Sequence, residues 1–145
     1  MLEEVGNPAN AERYIKERLG RRERIMGFGH RVYKTADPRA THLRRLSQEL
    51  GERKGDTRWF DISAEIERVV GQEKGLHANV DFFAASVYRY LEIPTDLMTP
   101  VFALARMVGW TAHVREQYAD NRLIRPESEY VGPRDQVYVP IDRRG

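Results

Sequence analysis

The stretch GFGHRVYKTADPRA, from Gly27 to Ala40, separates two kinds of local structure. Its first half carries two glycines, which disfavour a helix and permit backbone conformations that other residues avoid. Its second half places Asp37 directly before Pro38, and this pair is typical of the N-cap and first position of a helix. The stretch therefore predicts a loop that ends where a helix starts at Asp37.

Helices are predicted on both sides of this loop. Upstream, the segment NPANAERYIKERLG has Asn7 as a cap, Pro8 at the first helical position and Gly20 at its end. Downstream, three leucines recur at three- and four-residue spacing. This spacing predicts a helix that runs from Asp37 to a point near Gly51.

The remaining predicted elements are also mostly helices. We expect a helix over residues 57–70 with Asp56 as its cap, and a largely buried helix in NVDFFAASVYRYLEI, which is apolar on every side. A long helix over PVFALARMVGWTAHVREQY, capped by Thr95 or Thr99, is expected to end at ADN. The C-terminal segment ESEYVGPRDQVYVPIDRRG is predicted to be extended. The fold class is therefore mostly α.

Composition narrows the class of protein. The 145 residues are 41% apolar and 10% aromatic, which is enough for one compact core. Lys and Arg number 24 against 22 Asp and Glu, and because the two signs are interleaved, charge does not predict nucleic-acid binding. Cysteine is absent, which excludes disulfides and thiolate chemistry. Neither a secretory signal nor a membrane-length apolar stretch is visible, so we expect a soluble, cytoplasmic protein with no membrane contact.

His30 is the first candidate functional residue. A histidine in a loop is more often an ordinary structural or surface residue than a catalytic one. The neighbours of this histidine favour a site, because Gly27 and Gly29 would let backbone amides approach a ligand closely. His30 would then project a titratable donor into the same space. The four histidines lack the spacing of a helix-borne zinc motif, so no metal site is predicted.

Three charged residues stand at positions that are unusual for their charge. Arg39 falls in the first turn of a helix, where the dipole disfavours a cation, so it has an anionic partner or is simply solvated. Asp81 interrupts an apolar run and is a helix-capping carboxylate, although Asn79 is the better cap, or a partly desolvated general base with a raised pKa. Arg106 lies within an apolar helix and predicts a buried anion, either Asp81 or a ligand carboxylate.

Four stretches together resemble the C-terminal part of citrate synthases, in family order and at similar intervals. They are GFGHRVYKTADPRA, KGLHANVDFFAASVY, TPVFALARMVGWTAHVREQ and RLIRPESEYVGP. The resemblance covers nearly the whole chain. It implies a mostly α, multi-helical small domain over residues 1–94, followed over residues 95–145 by a C-terminal large-domain segment with a long helix and an extended tail. The core of the large domain is absent from the sequence.

The resemblance also implies an acyltransferase of the tricarboxylic acid cycle that condenses acetyl-CoA with oxaloacetate and hydrolyses citryl-CoA. His30 would hydrogen-bond and polarise the ketone of oxaloacetate. Asp81 would take a proton from the methyl group of acetyl-CoA. Arg39 and Arg106 would bind the carboxylates of oxaloacetate and citrate. No tightly bound cofactor is implied, because coenzyme A arrives as a thioester co-substrate.

Further residues are assigned by the resemblance to a dimer interface and to coenzyme A. Arg125 would reach across the interface of a homodimer into the partner's site. The coenzyme A residues lie at two lysine positions and in residues 27–29, which are called the glycine loop below. The adenine would lie beside the backbone of Gly27, Phe28 and Gly29, and the phosphates near Lys34 and Lys74.

One departure from the family bears on catalysis. The family's enolate-stabilising histidine lies in an HGGAN-like motif, before the helix whose end resembles MLEEVGNPANAERYIK, and the sequence contains no such motif. The isolated chain is therefore expected to be inactive, or to need a complementary N-terminal chain. Two alternatives stay open: a 2-methylcitrate synthase that uses propionyl-CoA, and a truncated, non-catalytic fragment.

Overall fold

The computed structural model of the chain describes residues 1–33 and 35–144. Over these residues it is helical, with one isolated antiparallel bridge between Phe28 and Ala78. The α-helices in chain order are α1 (Leu2–Val5), α2 (Ala11–Gly20), α3 (Pro38–Lys54), α4 (Arg58–Lys74), α5 (Val80–Tyr90) and α6 (Met98–Ala119). The predicted mostly α class is confirmed.

The chain divides into two compact units, Met1–Arg106 and Met107–Gly145. The first unit contains α1 to α5 and the beginning of α6. The second contains the rest of α6 and a tail that is irregular over its described residues except for a 3-10 turn at Ile141–Arg143. The domain boundary that the resemblance places between residues 94 and 95 stays a prediction.

The core of the first unit is formed by apolar side chains from α2, α4 and α5. α3 packs against α5 in the most extensive helix contact of the unit. The prediction that α5 is largely buried is confirmed, because it covers its apolar face against its neighbours. The largest fully buried apolar side chains are Ile15, Ile62, Ile66, Val69, Val70 and Phe83.

Small and hydroxyl-bearing residues let α3 and α5 approach each other closely. The fully buried Ser47 and Ser86 share a hydrogen bond of 2.7 Å between their hydroxyl oxygens. A side-chain carbon at the buried Gly51 would lie only 2.8 Å from the hydroxyl oxygen of Tyr90. That hydroxyl also accepts the backbone N–H of Phe60, which ties α5 to α4. Gly51 is thus a packing residue, and the prediction that α3 ends near it is wrong.

The observed helix boundaries agree with the predicted ones at most N-termini, but two helices end later than predicted. α3 continues to Lys54 and ends at Gly55, which adopts the left-handed conformation. α4 likewise extends four residues past the predicted end, to Lys74. Neither predicted cap begins α6, because Thr95 starts a 3-10 turn and Thr99 already lies inside the helix.

α6, which the structure describes in full, buries none of its residues. Most of its apolar side chains are exposed, including Val108 at 80% and Leu104 at 71% of their full accessible area. Contiguous exposed apolar surface of this kind usually marks a contact with another polypeptide. Within the described part of the chain, no helix is both long and apolar enough to cross a membrane.

Candidate functional site

The glycine loop is held against the segment that leads into α5. The backbone N–H of Gly29 donates to the carbonyl of His77, and that of Asn79 donates to the carbonyl of Gly27, both at 2.9 Å. The Asn79 side chain reinforces this pairing, because its Nδ2 donates to the Gly29 carbonyl at 3.0 Å. The loop residues predicted from sequence as a site are thereby fixed at the N-terminus of α5.

His30 follows this paired segment and points its ring into the same region. Its Nδ1 accepts two backbone N–H groups, those of Val32 and Tyr33, each at 3.1 Å. In the neutral ring only one nitrogen carries a proton, so these contacts assign the proton to Nε2. His30 is exposed.

Arg39 presents a second donor beside His30. Its Nη2 lies 3.4 Å from Nε2 of His30, and since both atoms carry protons they fit a shared acceptor oxygen. The Arg39 side chain is held in place by Asp37, whose Oδ1 accepts Nε at 3.0 Å and whose Oδ2 accepts Nη2 at 2.8 Å. The predicted anionic partner of Arg39 is thus Asp37, a residue of the same chain.

Asp81 stands in the first turn of α5 and its side chain is exposed. The predicted partial desolvation is therefore not seen in this chain, and the role of Asp81 as a general base stays a prediction. Asn79 caps the helix instead, since its Oδ1 accepts the N–H of Asp81 at 2.9 Å. The pKa of Arg39 is raised, chiefly by its hydrogen bonds to Asp37 and further by the negative charge of Asp81. Asp37, which holds Arg39, also accepts the backbone N–H of Val80, the residue before Asp81, at 3.2 Å.

Several cavities adjoin these residues, and two of them are lined by predicted site residues other than Gly27 and Asp81. One of about 470 Å³ is lined by Gly27, Phe28, Lys74 and Asp81, so that three predicted coenzyme A residues share a space with the predicted base. The other, of about 210 Å³, is lined by Gly29 and His30 among others. The predicted residue Lys34 lies outside the described residues.

Two of the predicted site arginines are not joined to this cluster. Arg106 is exposed and stacks its guanidinium over the ring of Phe102, 4.7 Å from the ring centre. No ion pair joins Arg106 to a described carboxylate, so Asp81 is not its partner here, and the ligand carboxylate stays a prediction. Arg125 is exposed in the tail, which belongs to the second unit. The substrate-binding roles of both arginines stay predictions.

Sequence reasoning assigned no site role to two residues that organise the cluster. Asp37 was identified only as a helix cap, yet it also holds the guanidinium of Arg39. Tyr33 was not singled out, and its ring stacks on His30 with 4.5 Å between the ring centres. The close spacing of Asp37 and Arg39 was a usable signal, whereas nothing in the local sequence marks Tyr33.

Gly27 offers a test of how tightly the loop is docked on α5. Its φ is +89°, and a side-chain carbon there would lie 2.8 Å from Cδ2 and 3.1 Å from Cα of Phe82. Replacing Gly27 with Ala is expected to lower the free energy of unfolding by roughly 2 to 4 kcal/mol, from backbone strain and overpacking together. Urea denaturation followed by circular dichroism measures this change.

Gly55 supplies the matched control for this substitution. Its φ is also positive, at +69°, but a side-chain carbon there meets nothing within 4 Å. Gly55→Ala should therefore cost only the backbone strain, about 1 to 2 kcal/mol. Equal losses in the two variants would show that contact with Phe82 does not hold the loop.

Known proteins that are similar to this chain include citrate synthases and a 2-methylcitrate synthase. The family model "Citrate synthase, C-terminal domain" matches residues 1–127. Citrate synthase 2 of Bacillus subtilis is 54% identical over 144 residues, which are 99% of this chain and 39% of that protein. A 2-methylcitrate synthase of Shewanella oneidensis is 40% identical over 144 residues, 99% of this chain and 38% of that protein.

A solved structure shares the fold. It is a citrate synthase from Thermoplasma acidophilum in a ternary complex with carboxymethyl coenzyme A and oxaloacetate. The two chains superpose with a TM-score of 0.83 at 36% identity, over 99% of this chain and 40% of the other. The fold implied by the sequence resemblance is confirmed, and the chain spans about two-fifths of the length of the relatives it matches.

Proposed function

The chain belongs to the citrate synthase family, and from that premise we propose that it supplies half of an active site that condenses an acyl-CoA with oxaloacetate. The observation that carries the proposal is that Arg39, beside His30, stands at the N-terminus of α3, which Asp37 joins to the first turn of α5, where Asp81 lies. The rest of the family fold, which the match does not span, would supply the other half. The product would be citrate, released by hydrolysis of citryl-CoA.

In this proposal His30 and Arg39 bind oxaloacetate. Nη2 of Arg39 and Nε2 of His30, 3.4 Å apart, would both donate to oxygen atoms of one ligand. A ketone that accepts such a donor is polarised, because the developing negative charge on its oxygen is stabilised. A carboxylate next to the guanidinium would gain a charge-assisted hydrogen bond. A 2-oxo dicarboxylate offers both groups side by side.

Asp81 is the proposed general base. The α-proton of a thioester is a weak acid, so its removal needs a positioned carboxylate and stabilisation of the enolate oxygen. Asp81 is exposed and does not serve as the helix cap, which leaves its carboxylate available to a substrate. The donor to the enolate would come from the part of the family fold outside this match.

The coenzyme A moiety would occupy the cavity of about 470 Å³ next to Asp81. The solved relative was crystallised with a coenzyme A derivative, which supports a thioester as co-substrate rather than a resident cofactor. Lys74 is exposed at the end of α4 and could meet a phosphate there. Lys34 is proposed for the same role on the sequence resemblance alone.

The proposal includes a homodimer located in the cytoplasm. The exposed apolar side chains of α6, such as Val108 and Trp110, supply surface that an assembly would cover. Arg106 and Arg125 would bind substrate carboxylates once that assembly is formed, with Arg125 acting across the interface. The small domain over residues 1–94 and the large-domain segment over residues 95–145 remain part of this proposal.

A complementation assay tests the proposed function. The 145-residue chain is co-expressed with the N-terminal portion of the Bacillus subtilis relative that lies outside the match. We expect thiol release from acetyl-CoA that depends on oxaloacetate and on the presence of both polypeptides. Each polypeptide assayed alone is the control, and the chain alone is expected to be inactive.

Propionyl-CoA is assayed beside acetyl-CoA, because a 2-methylcitrate synthase is among the relatives. One methylene changes discrimination by only about 1 to 3 kcal/mol, so the preferred acyl group follows from the ratio of the two kcat/KM values. A co-purified pair of polypeptides that releases thiol from neither thioester would contradict the proposal. It would favour a binding fragment without turnover.

A further inference from the structure

Asp37 is a buried carboxylate whose contacts all lie at the candidate site. Only 1% of its side-chain area is exposed. A charge removed from water in this way is costly unless hydrogen bonds and an opposite charge compensate it. Here four donors do so, and the hydrogen bonds from Arg39 hold the pKa of Asp37 below its usual range. Asp37 is therefore an ionic group kept in a fixed position.

The same carboxylate reaches the N-termini of two helices. Its Oδ1 accepts the backbone N–H of Arg39 at 3.0 Å, which caps α3. Its Oδ2 accepts the backbone N–H of Val80, the first residue of α5, at 3.2 Å. Since 43 residues separate Asp37 from Val80, this second contact is purely tertiary. One side chain thus joins the helix that carries Arg39 to the helix that carries Asp81.

Helix capping alone does not account for this arrangement. α5 already has its own cap in Asn79, whose Oδ1 accepts the N–H of Asp81. α3 would be capped equally well by Ser or Asn. A buried aspartate adds hydrogen bonds from both of its carboxylate oxygens to the guanidinium of Arg39, and a further one to the backbone N–H of Val80. Both additions act on the groups proposed to meet substrate.

We propose that Asp37 is a positioning residue, which sets the guanidinium of Arg39 beside His30 and fixes α3 relative to the first turn of α5, where Asp81 lies. The inference rests on the proposed function. Asp37 itself contacts no ligand in this scheme, because its two oxygens are already occupied by Arg39 and Val80. Its role is to fix the positions of Arg39, which would bind substrate, and Asp81, which would act as the base.

Asp37→Ser in the complemented enzyme is the first test. Serine can still cap α3, but it removes the hydrogen bonds to the Arg39 guanidinium and to the backbone N–H of Val80. We expect the KM for oxaloacetate to rise roughly ten- to a hundredfold, the range set by losing a hydrogen bond to a charged group. The KM for acetyl-CoA should change far less. Asp37→Asn, which keeps the side-chain size, should shift the oxaloacetate KM in the same direction and serves if the serine variant folds poorly.

Asp56→Ser is the matched control. Asp56 accepts the N–H of Arg58, two residues on, at 3.0 Å, the same local contact that Asp37 makes with the N–H of Arg39. It is exposed and stands just before α4, where no hydrogen bond or ion pair joins its side chain to a described residue of the candidate site. Its replacement should leave both KM values and kcat unchanged.

Amide exchange measured by NMR on the 145-residue chain adds a readout that does not depend on turnover. In Asp37→Ser the Val80 amide should exchange at least roughly tenfold faster, while the Asp81 amide, bonded to Asn79, keeps its rate. Wild-type oxaloacetate kinetics in the folded Asp37 variants, unchanged Val80 exchange, or an equal defect in Asp56→Ser would each overturn the proposal. Absence of turnover in the wild-type pair would instead refute the proposed function, and the positioning role with it.

Discussion

Asp81→Asn is expected to lower the rate of coenzyme A release by roughly 10²- to 10⁴-fold in the complemented enzyme. The carboxamide keeps the size of the side chain but cannot accept a proton from the thioester. His30 and Arg39 are untouched by the change, so the affinity for oxaloacetate should stay within about twofold of the wild-type value. Thiol release gives the rate, and calorimetric titration with oxaloacetate gives the affinity.

Asp61→Asn is the control for this substitution. Asp61 is also an exposed acidic residue in the first turn of a helix, α4, so both changes remove one favourable charge from a helix N-terminus. That removal costs about 0.3 to 1 kcal/mol of stability in either case. Turnover that survives in Asp81→Asn would exclude Asp81 as the base. Loss of oxaloacetate affinity in that variant would indicate a structural role instead.

Phe83→Ala is expected to destabilise the first unit by about 3 to 5 kcal/mol. Phe83 is fully buried and packs edge-to-face on Phe82, with 5.2 Å between the ring centres. Domains of this kind have a total free energy of unfolding of only about 5 to 15 kcal/mol, so this loss is a large share of the total. The midpoint of urea denaturation, followed by circular dichroism, measures it.

Tyr118→Ala is the comparison for the loss of an aromatic ring. Tyr118 is on α6 and 77% exposed, so its removal should change the free energy of unfolding by less than about 0.5 kcal/mol. A similar midpoint for Phe83→Ala and Tyr118→Ala would contradict the placement of α5 in the core of the first unit. Phe83 touches no proposed ligand, so any loss of activity in its variant should follow the loss of folded protein.

Helix starts were predicted well because they depend on neighbouring residues. Asp37 with Pro38, and Asn79 before α5, satisfy free backbone N–H groups locally, and the structure has both caps as predicted. The end of α3 was predicted three residues too early because Gly51 was interpreted as a helix stop. Its role is contact with Tyr90, 39 residues away, which no local pattern contains.

Only part of the candidate site was predicted, because the rest depends on contacts that no local sequence pattern contains. The loop glycines and His30 stand out in sequence, and the backbone pairing with residues 77–79 confirms that the loop is docked rather than free. The exposure of Asp81 and Arg106 was missed, because an apolar helix gives no indication of which neighbours cover it. The 3.4 Å approach of Arg39 to His30 depends on a side-chain geometry that sequence does not specify.

The sequence by itself determined the helical class, most helix starts and the family, since caps, periodicity and motif order are properties of adjacent or regularly spaced residues. Only the tertiary structure decided that one buried carboxylate, Asp37, joins the two helices that carry Arg39 and Asp81. The physical reason is that a buried charge must find its partners wherever the fold brings donors together. Those donors come from segments 43 residues apart along the chain.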